Sequence, residues 1–471
     1  MSERLLTVEW VARATGGEVV AGSMGASIGD VSIDSRTLAD GSFFVALRGP
    51  RHDGHDHVSA ALAGGAGGAL VERVWWKAKG ADTVSRTAGA IVAVDDTLLA
   101  LQRMAAALRD EAGARVVAIT GSAGKTTTKE AIAAMLATRY RVVKNKGNLN
   151  NHIGLPLSLM ELRREPDVAV MELGMNHKGE ISTLVTIARP DVRVWTNVGD
   201  AHVGYFASSD EIADAKAEIL EGATASDVLV CNADDARVMA RVASFPGRTL
   251  TFGERASATV RAVDVEDRGV TGTRCRMVTP AGERPLRLSV LGRGNLANVL
   301  AAAAVALHFD VPLDAIADEA ERLTPAERRG SVTVAHGVTV VDDSYNSSPS
   351  ALSRMLDALA SEHGPYRKIA VLGEMLELGD HAERLHRASG ARAARVGLAQ
   401  LVTVGGSAAR AMAEGALDAG MPAASVSYQS RSEDAAELVA DMVQPGDLVL
   451  VKGSRGIHTD IVVDRLMGER R

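Results

Sequence analysis

One stretch constrains this 471-residue chain more than any other: RVVAITGSAGKTTTKEAIAAML, beginning at Arg115. An apolar run ends at Thr120, a turn holding Gly121 and Gly124 follows, and Lys125 and Thr126 open a second pattern with helical spacing. A buried strand feeding a glycine turn and a helix is the entry to a parallel α/β sheet. The glycines let backbone N–H groups converge on phosphate oxygens, and the helix N-terminus adds positive partial charge. Lys125 is placed to neutralise β- and γ-phosphates, and the Thr126 hydroxyl to ligate Mg²⁺. A full Walker pattern needs a glycine where this chain has Ile119, so the match is the shorter G-x-x-G-K-T.

The alternation continues on both sides. TLLALQRMAAALRDEAG reads as an amphipathic helix before that strand, and DVAVMEL, DVRVWTNV and DVLVCN as further strands separated by helical stretches. From Thr251 to Leu291 the period falls to two, with glycine turns, predicting an antiparallel ribbon appended to the parallel core; the Ala-rich helix NLANVLAAAAVALHF follows. RLTPAERRGS is polar and marks a boundary near Pro325. Beyond it VTVVDD, KIAVLG, LVTVG and DLVLVKG alternate with helices. The first 97 residues mix short strands with Gly-rich turns. The expected organisation is three α/β units, 1–97, 98–325 and 326–471.

Composition narrows the function classes. Lys and Arg total 52 against 59 Asp and Glu, giving a net charge of −7 with no basic block, so a nucleic-acid partner is not expected. The longest apolar run near the centre, residues 299–307, is far short of the roughly 20 residues a membrane-spanning helix needs. No signal peptide is legible at the N-terminus, and Cys231 and Cys275 are too few for a disulfide framework. A cytoplasmic protein is expected. RHDGHDH gathers His52, His55 and His57, but its spacing fits no standard zinc pattern and reads as a plain turn.

A nucleotide site needs a group to hold its metal. Glu172 ends the strand DVAVMEL, where ligands of parallel sheets gather, but a solvated strand-end carboxylate is an equal reading. His202 follows the next strand, and a ligand role is the minority reading on position alone. Lys216, in DEIADAKAEIL, reads by itself as a solvated helix lysine.

Taken together, TGSAGKTTTKE, GNLNNHIGLPL, MELGMNHKGEI, DSRTLADGSFFVALRGPRHDGHDH, VVDDSYNSSPSAL, VLGEMLELG and VLVKGSR resemble, in order and over the whole chain, segments of the Mur ligases. These are ATP-dependent amide-forming enzymes of peptidoglycan precursor synthesis. The resemblance implies a small mixed N-terminal uridine-nucleotide domain, a central parallel-sheet P-loop ATPase domain with a β-ribbon, and a C-terminal Rossmann-like domain. It implies ATP and Mg²⁺, and, from the GNLNNHIGLPL and MELGMNHKGEI segments, UDP-N-acetylmuramoyl-tripeptide and D-alanyl-D-alanine as substrates. A monomer is expected.

By the same resemblance, Gly121, Ser122, Ala123, Gly124, Lys125, Thr126 and Thr127 would cradle the ATP phosphates. Glu172 and His202 would serve the Mg²⁺ site, and Lys216 would carry a carbamate supporting a second Mg²⁺, which reverses its unaided reading. Asn295 and Asn298 would contact adenine and Asp343 the ribose. Arg328 lies near the place of a linker arginine that would help stabilise the transferred phosphate, and adjacent Arg329 leaves the register open between the two. Ser35 and Arg36 would meet the uridine nucleotide, and Asn150 and Asn151 would line the path to the muramoyl-peptide. The chain departs from the family where Gly294 precedes Asn295 in place of the usual histidine, and where KGSRGIHTD replaces the more frequent K-G-S-R-S-x-x-M-E. The rivals are a relative adding lysine or diaminopimelate to the dipeptide precursor and, from another class, a non-catalytic nucleotide-binding scaffold. The first is disfavoured by DDSYNSSP and by the missing D-N-P-R segment, the second by the joint presence of Lys125, Glu172, His202 and Lys216.

Overall fold

The computed structural model describes residues 3–80, 82, 89–200 and 203–468. Among the described residues three large sheets organise it, beside a two-stranded antiparallel pair of Leu6–Thr7 and Ser27–Ile28. The first has five strands, in the order Glu18–Ala21, Ala90–Val94, Gly68–Glu72, Phe43–Val45 and Val31–Ser32, with only the first pair antiparallel. Val31–Ser32 and Phe43–Val45 run parallel, so the turn at Ala39, Asp40 and Gly41 between them belongs to a crossover. In RHDGHDH, His55 is buried and its Nε2 accepts from Glu72 N at 2.9 Å. Its Nδ1 therefore carries the proton and donates to Asp53. The segment is a structural turn.

The second sheet has nine strands. Arg115–Thr120 lies between Val168–Glu172 and Val192–Trp195, parallel to both. Val142–Lys144 extends one side of the sheet, while Val228–Asn232 and Arg248–Gly253 extend the other. The strand order thus reverses beside Arg115–Thr120, and the crevice of such a sheet opens at the carboxyl ends of the strands at that point. The antiparallel ribbon of Val260–Asp267, Thr273–Thr279 and Gly282–Leu288 is a direct continuation: Val260–Asp267 pairs in parallel with Arg248–Gly253 before the hairpins begin. Helix Gly292–His308 is buried almost all round, as its run of alanines and valines allows, and packs against the phosphate-loop helix Lys125–Ala137.

The third sheet has six strands, in the order Ser331–Ala335, Val338–Asp343, Asp447–Lys452, Arg367–Gly373, Gln400–Val404 and Val426–Gln429. All pairs but the first are parallel. This unit touches the central one at several points, among them the following two. Gly204 N donates to Glu377 O at 3.0 Å, and a Cβ on Gly204 would stand 2.6 Å from Gly379 N. Val270 N, at the ribbon, donates to Glu362 Oε2 at 2.9 Å. No helix among the described residues is long and apolar enough to cross a membrane.

Candidate active site

A cleft of about 520 Å³ lies between the second and third units. The phosphate loop forms its floor. Gly124 has φ +84°, and a Cβ there would meet Asn298 Oδ1 at 2.2 Å; at Gly121 a Cβ would meet Thr196 Oγ1 at 1.9 Å. Both positions exclude a side chain on steric grounds. Asn197, at the end of the neighbouring strand, clamps the loop: its Oδ1 accepts from Ala123 N at 3.0 Å and its Nδ2 donates to Ala123 O at 2.9 Å. Lys125 Nζ donates to Gly121 O at 2.9 Å. Burial holds Lys125 below the ordinary lysine range, with Glu172 opposing that shift and Arg329 adding to it.

Glu172 is 3% exposed, so the solvated reading does not hold. Its Oε2 accepts from Thr126 Oγ1 and its Oε1 from Asn150 Nδ2, each at 2.8 Å. The backbone beneath it is held by Asn145, whose Oδ1 accepts from Glu172 N at 3.1 Å and whose Nδ2 donates to Glu172 O at 3.2 Å. Asn145 is braced in turn by buried Lys129, whose Nζ donates to Asn145 O at 2.8 Å. Oxygen donors at this spacing suit a hard divalent cation. Among the described residues no group of three or more His, Cys, Asp or Glu side chains is set to hold a metal. His202 lies outside the described residues.

Lys216 is 2% exposed on helix Ser209–Ala217, contrary to its unaided reading. No carboxylate among the described residues lies within ion-pair distance of it. Burial and then the charge of Lys125 push its amine well below the ordinary lysine range. An uncharged amine is the form that adds carbon dioxide.

The far wall comes from the helix Gly292–His308 and the third unit. Asn295 and Asn298 line the cleft, and Asn298 Nδ2 donates to Asn295 Oδ1 at 3.2 Å. Asp343 lines it from the third sheet, its Oδ2 accepting from buried Lys452 Nζ at 2.7 Å. Asn150 and Asn151 also line it, although Asn151 Oδ1 is engaged by Gly154 N at 2.8 Å as a local cap.

Three candidate residues lie outside this cleft. Arg328 does not line the cleft: it sits at φ +58° with its guanidinium on Asp460 and Asp464 of the last helix, Asp460–Met467. Its neighbour Arg329 does line the cleft, 4.1 Å above the Tyr345 ring. Ser35 and Arg36 lie on the N-terminal unit, away from this cleft, and the Arg36 side chain is 83% exposed. The Arg36 hydrogen bond draws the Asp34 carboxyl down to about 2. Sequence reading missed Asn145, Asn197 and Lys452. Asn197 and Lys452 were findable as polar residues at strand carboxyl ends, the signal that singled out Glu172.

The Mur ligase family catalytic domain matches residues 27–138, the Mur ligase middle domain 119–306, and the Mur ligase glutamate ligase domain 327–455. UDP-N-acetylmuramoyl-tripeptide–D-alanyl-D-alanine ligase of Bacillus subtilis (strain 168) is 34% identical over 93% of each chain. A crystal structure of MurF from Acinetobacter baumannii superposes with a TM-score of 0.88 at 31% identity, covering 99% of this chain and 100% of that one. MurF ligase from Thermotoga maritima in complex with ADP gives 0.81 at 29%, covering 93% and 97%.

Proposed function

This chain belongs to the Mur ligase family, and from that premise we propose that it joins the free tripeptide carboxylate of UDP-N-acetylmuramoyl-tripeptide to the amine of D-alanyl-D-alanine, driven by ATP. The observation that carries the reading is the convergence of the phosphate loop, Glu172, Asn295, Asn298 and Asp343 on one cleft, in a chain whose likeness to the D-alanyl-D-alanine-adding relatives runs nearly end to end.

A carboxylate does not acylate an amine at neutral pH, because its leaving group would be oxide. A carboxylate oxygen therefore attacks the γ-phosphorus, the bond to ADP breaks, and an acyl phosphate results. The dipeptide amine adds to its carbonyl, loses a proton, and phosphate departs. Positioning and charge neutralisation dominate such chemistry. Two unit negative charges 4 Å apart repel by about 4 kcal/mol at an effective dielectric of 20. Lys125 and Arg329, which both line the cleft, would offset that repulsion, and of the two linker arginines we assign the phosphate-stabilising role to Arg329.

Asn295 and Asn298 take the adenine, Asp343 the ribose, and residues 121–127 the phosphates. Thr126 and Glu172, with His202, would hold Mg²⁺, which supplies charge neutralisation at the phosphate oxygens when bound. Lys216, carbamylated, would offer anionic oxygens to a second ion. Ser35 and Arg36 would hold the uridine nucleotide, and Asn150 and Asn151 face the muramoyl-peptide.

The test is phosphate release from ATP with UDP-muramoyl-tripeptide, with and without D-alanyl-D-alanine. Release that depends on the dipeptide is expected. Turnover only with lysine or diaminopimelate and the dipeptide precursor would refute the assignment.

A further inference from the structure

Beside Asn295 the cleft wall carries a charge that the reaction scheme leaves unused. Gly294 and Arg354 both line the cleft, from helix Gly292–His308 of the central unit and helix Pro349–Ala360 of the third. A Cβ on Gly294 would stand 3.1 Å from Arg354 Cδ and 3.2 Å from its Nε. The arginine stem therefore occupies the space that a side chain at 294 would take. Among the described residues Arg354 makes no hydrogen bond or ion pair, and the one opposite charge acting on it is Asp343. A partly desolvated guanidinium without partners is unfavourable until a ligand completes its surroundings. Its neighbours are the residues assigned above to the base and the ribose, and a planar guanidinium stacks well on an aromatic ring.

We propose that Arg354 packs its guanidinium on the adenine ring of ATP, reaching it through the space left by Gly294. The proposal rests on the reading of this cleft as the ATP site. It makes base recognition a joint property of two domains, with Asn295 and Asn298 on one side and Arg354 on the other.

ADP and inorganic tripolyphosphate serve as separate probes by titration calorimetry, alongside steady-state kinetics. Arg354→Ala is expected to weaken ADP about tenfold while tripolyphosphate affinity stays unchanged, with the kinetic loss falling in KM for ATP more than in kcat. Gly294→His should weaken ADP because the imidazole collides with the arginine stem. The double variant Gly294→His/Arg354→Ala should bind ADP better than Gly294→His alone. Equal ADP affinity in wild type and Arg354→Ala would overturn the proposal, and so would a parallel loss of tripolyphosphate. Should Arg354→Ala fail to fold, Arg354→Gln answers the same question by the same two probes. Wild-type protein that binds neither probe would overturn the reading of the cleft itself.

Discussion

Thr126 Oγ1 donates to Glu172 Oε2 at 2.8 Å, tying the first turn of the phosphate-loop helix to the end of the adjacent strand. The contact brings a hydroxyl and a carboxylate from different elements to one point at the cleft floor. Asn150, on the other carboxylate oxygen, fixes the rotamer.

Glu172→Ala should therefore lower kcat by about 10²–10³-fold, the range seen when a preorganised electrostatic group is removed from a transition state. Phosphate-release kinetics across a magnesium titration check it. Wild-type kcat at saturating magnesium would remove Glu172 from the metal site.

Lys216→Ala should abolish turnover, with partial rescue by a short carboxylate, and ¹³C-bicarbonate should give a carbamate resonance in the wild type that the variant lacks. Wild-type rates in the variant would dismiss the role.

The same lysine makes a stability prediction. Its folded-state amine is held far below the ordinary value of 10.5, so in bicarbonate-free buffer the unfolded chain binds more protons and stability rises with pH. Lys216→Met should be more stable than wild type at pH 7. That gain should shrink as pH climbs toward 10.5 and vanish above it, as urea denaturation at a series of pH values would reveal. A gain independent of pH would contradict the burial argument.

Arg328 and Arg329 should separate cleanly. Arg329→Ala is expected to cut kcat by about 10²-fold or more, as loss of a phosphate-stabilising arginine does. Arg328→Ala, which removes an anchor to Asp460 and Asp464, should cost less than about tenfold in kcat and show its effect in melting temperature. The reverse order in kcat would restore Arg328 to the catalytic role.

At Gly204 the central and third units meet backbone to backbone, with room for no side chain. Gly204→Val should hold them apart. Solution scattering should record compaction when ATP and the UDP-substrate bind the wild type, and none in the variant, whose kcat should fall. An unchanged radius of gyration in the liganded wild type would argue against obligatory closure.

The sequence announces the parallel core and the phosphate loop because both are local: a strand, a turn and a helix lie consecutively in 22 residues. It announces less where the answer depends on which strands are neighbours. Asn197 clamps the loop only because Val192–Trp195 pairs with Arg115–Thr120. Lys216 reads as a surface residue from its residue type alone, yet burial and then the charge of Lys125 push its amine well below the ordinary lysine range. Two adjacent arginines carry the same local signal, and only the fold separates them, with Arg329 lining the cleft and Arg328 paired to Asp460 and Asp464. The ribbon looked like an appendage since its alternation is antiparallel, but its first pairing is parallel and places it within the sheet.

The helix bearing Asn295 and Asn298 packs on the helix that opens at Lys125, and the shared core is rich in alanine, including Ala131, Ala133 and residues 301–304. Interaxial distance between packed helices follows the girth of the residues at the seam. The spacing between the proposed base and phosphate subsites would thus be set from within, by methyl groups that do not line the cleft. A single thicker residue there would mis-set the gauge for the whole nucleotide while leaving every contacting side chain in place.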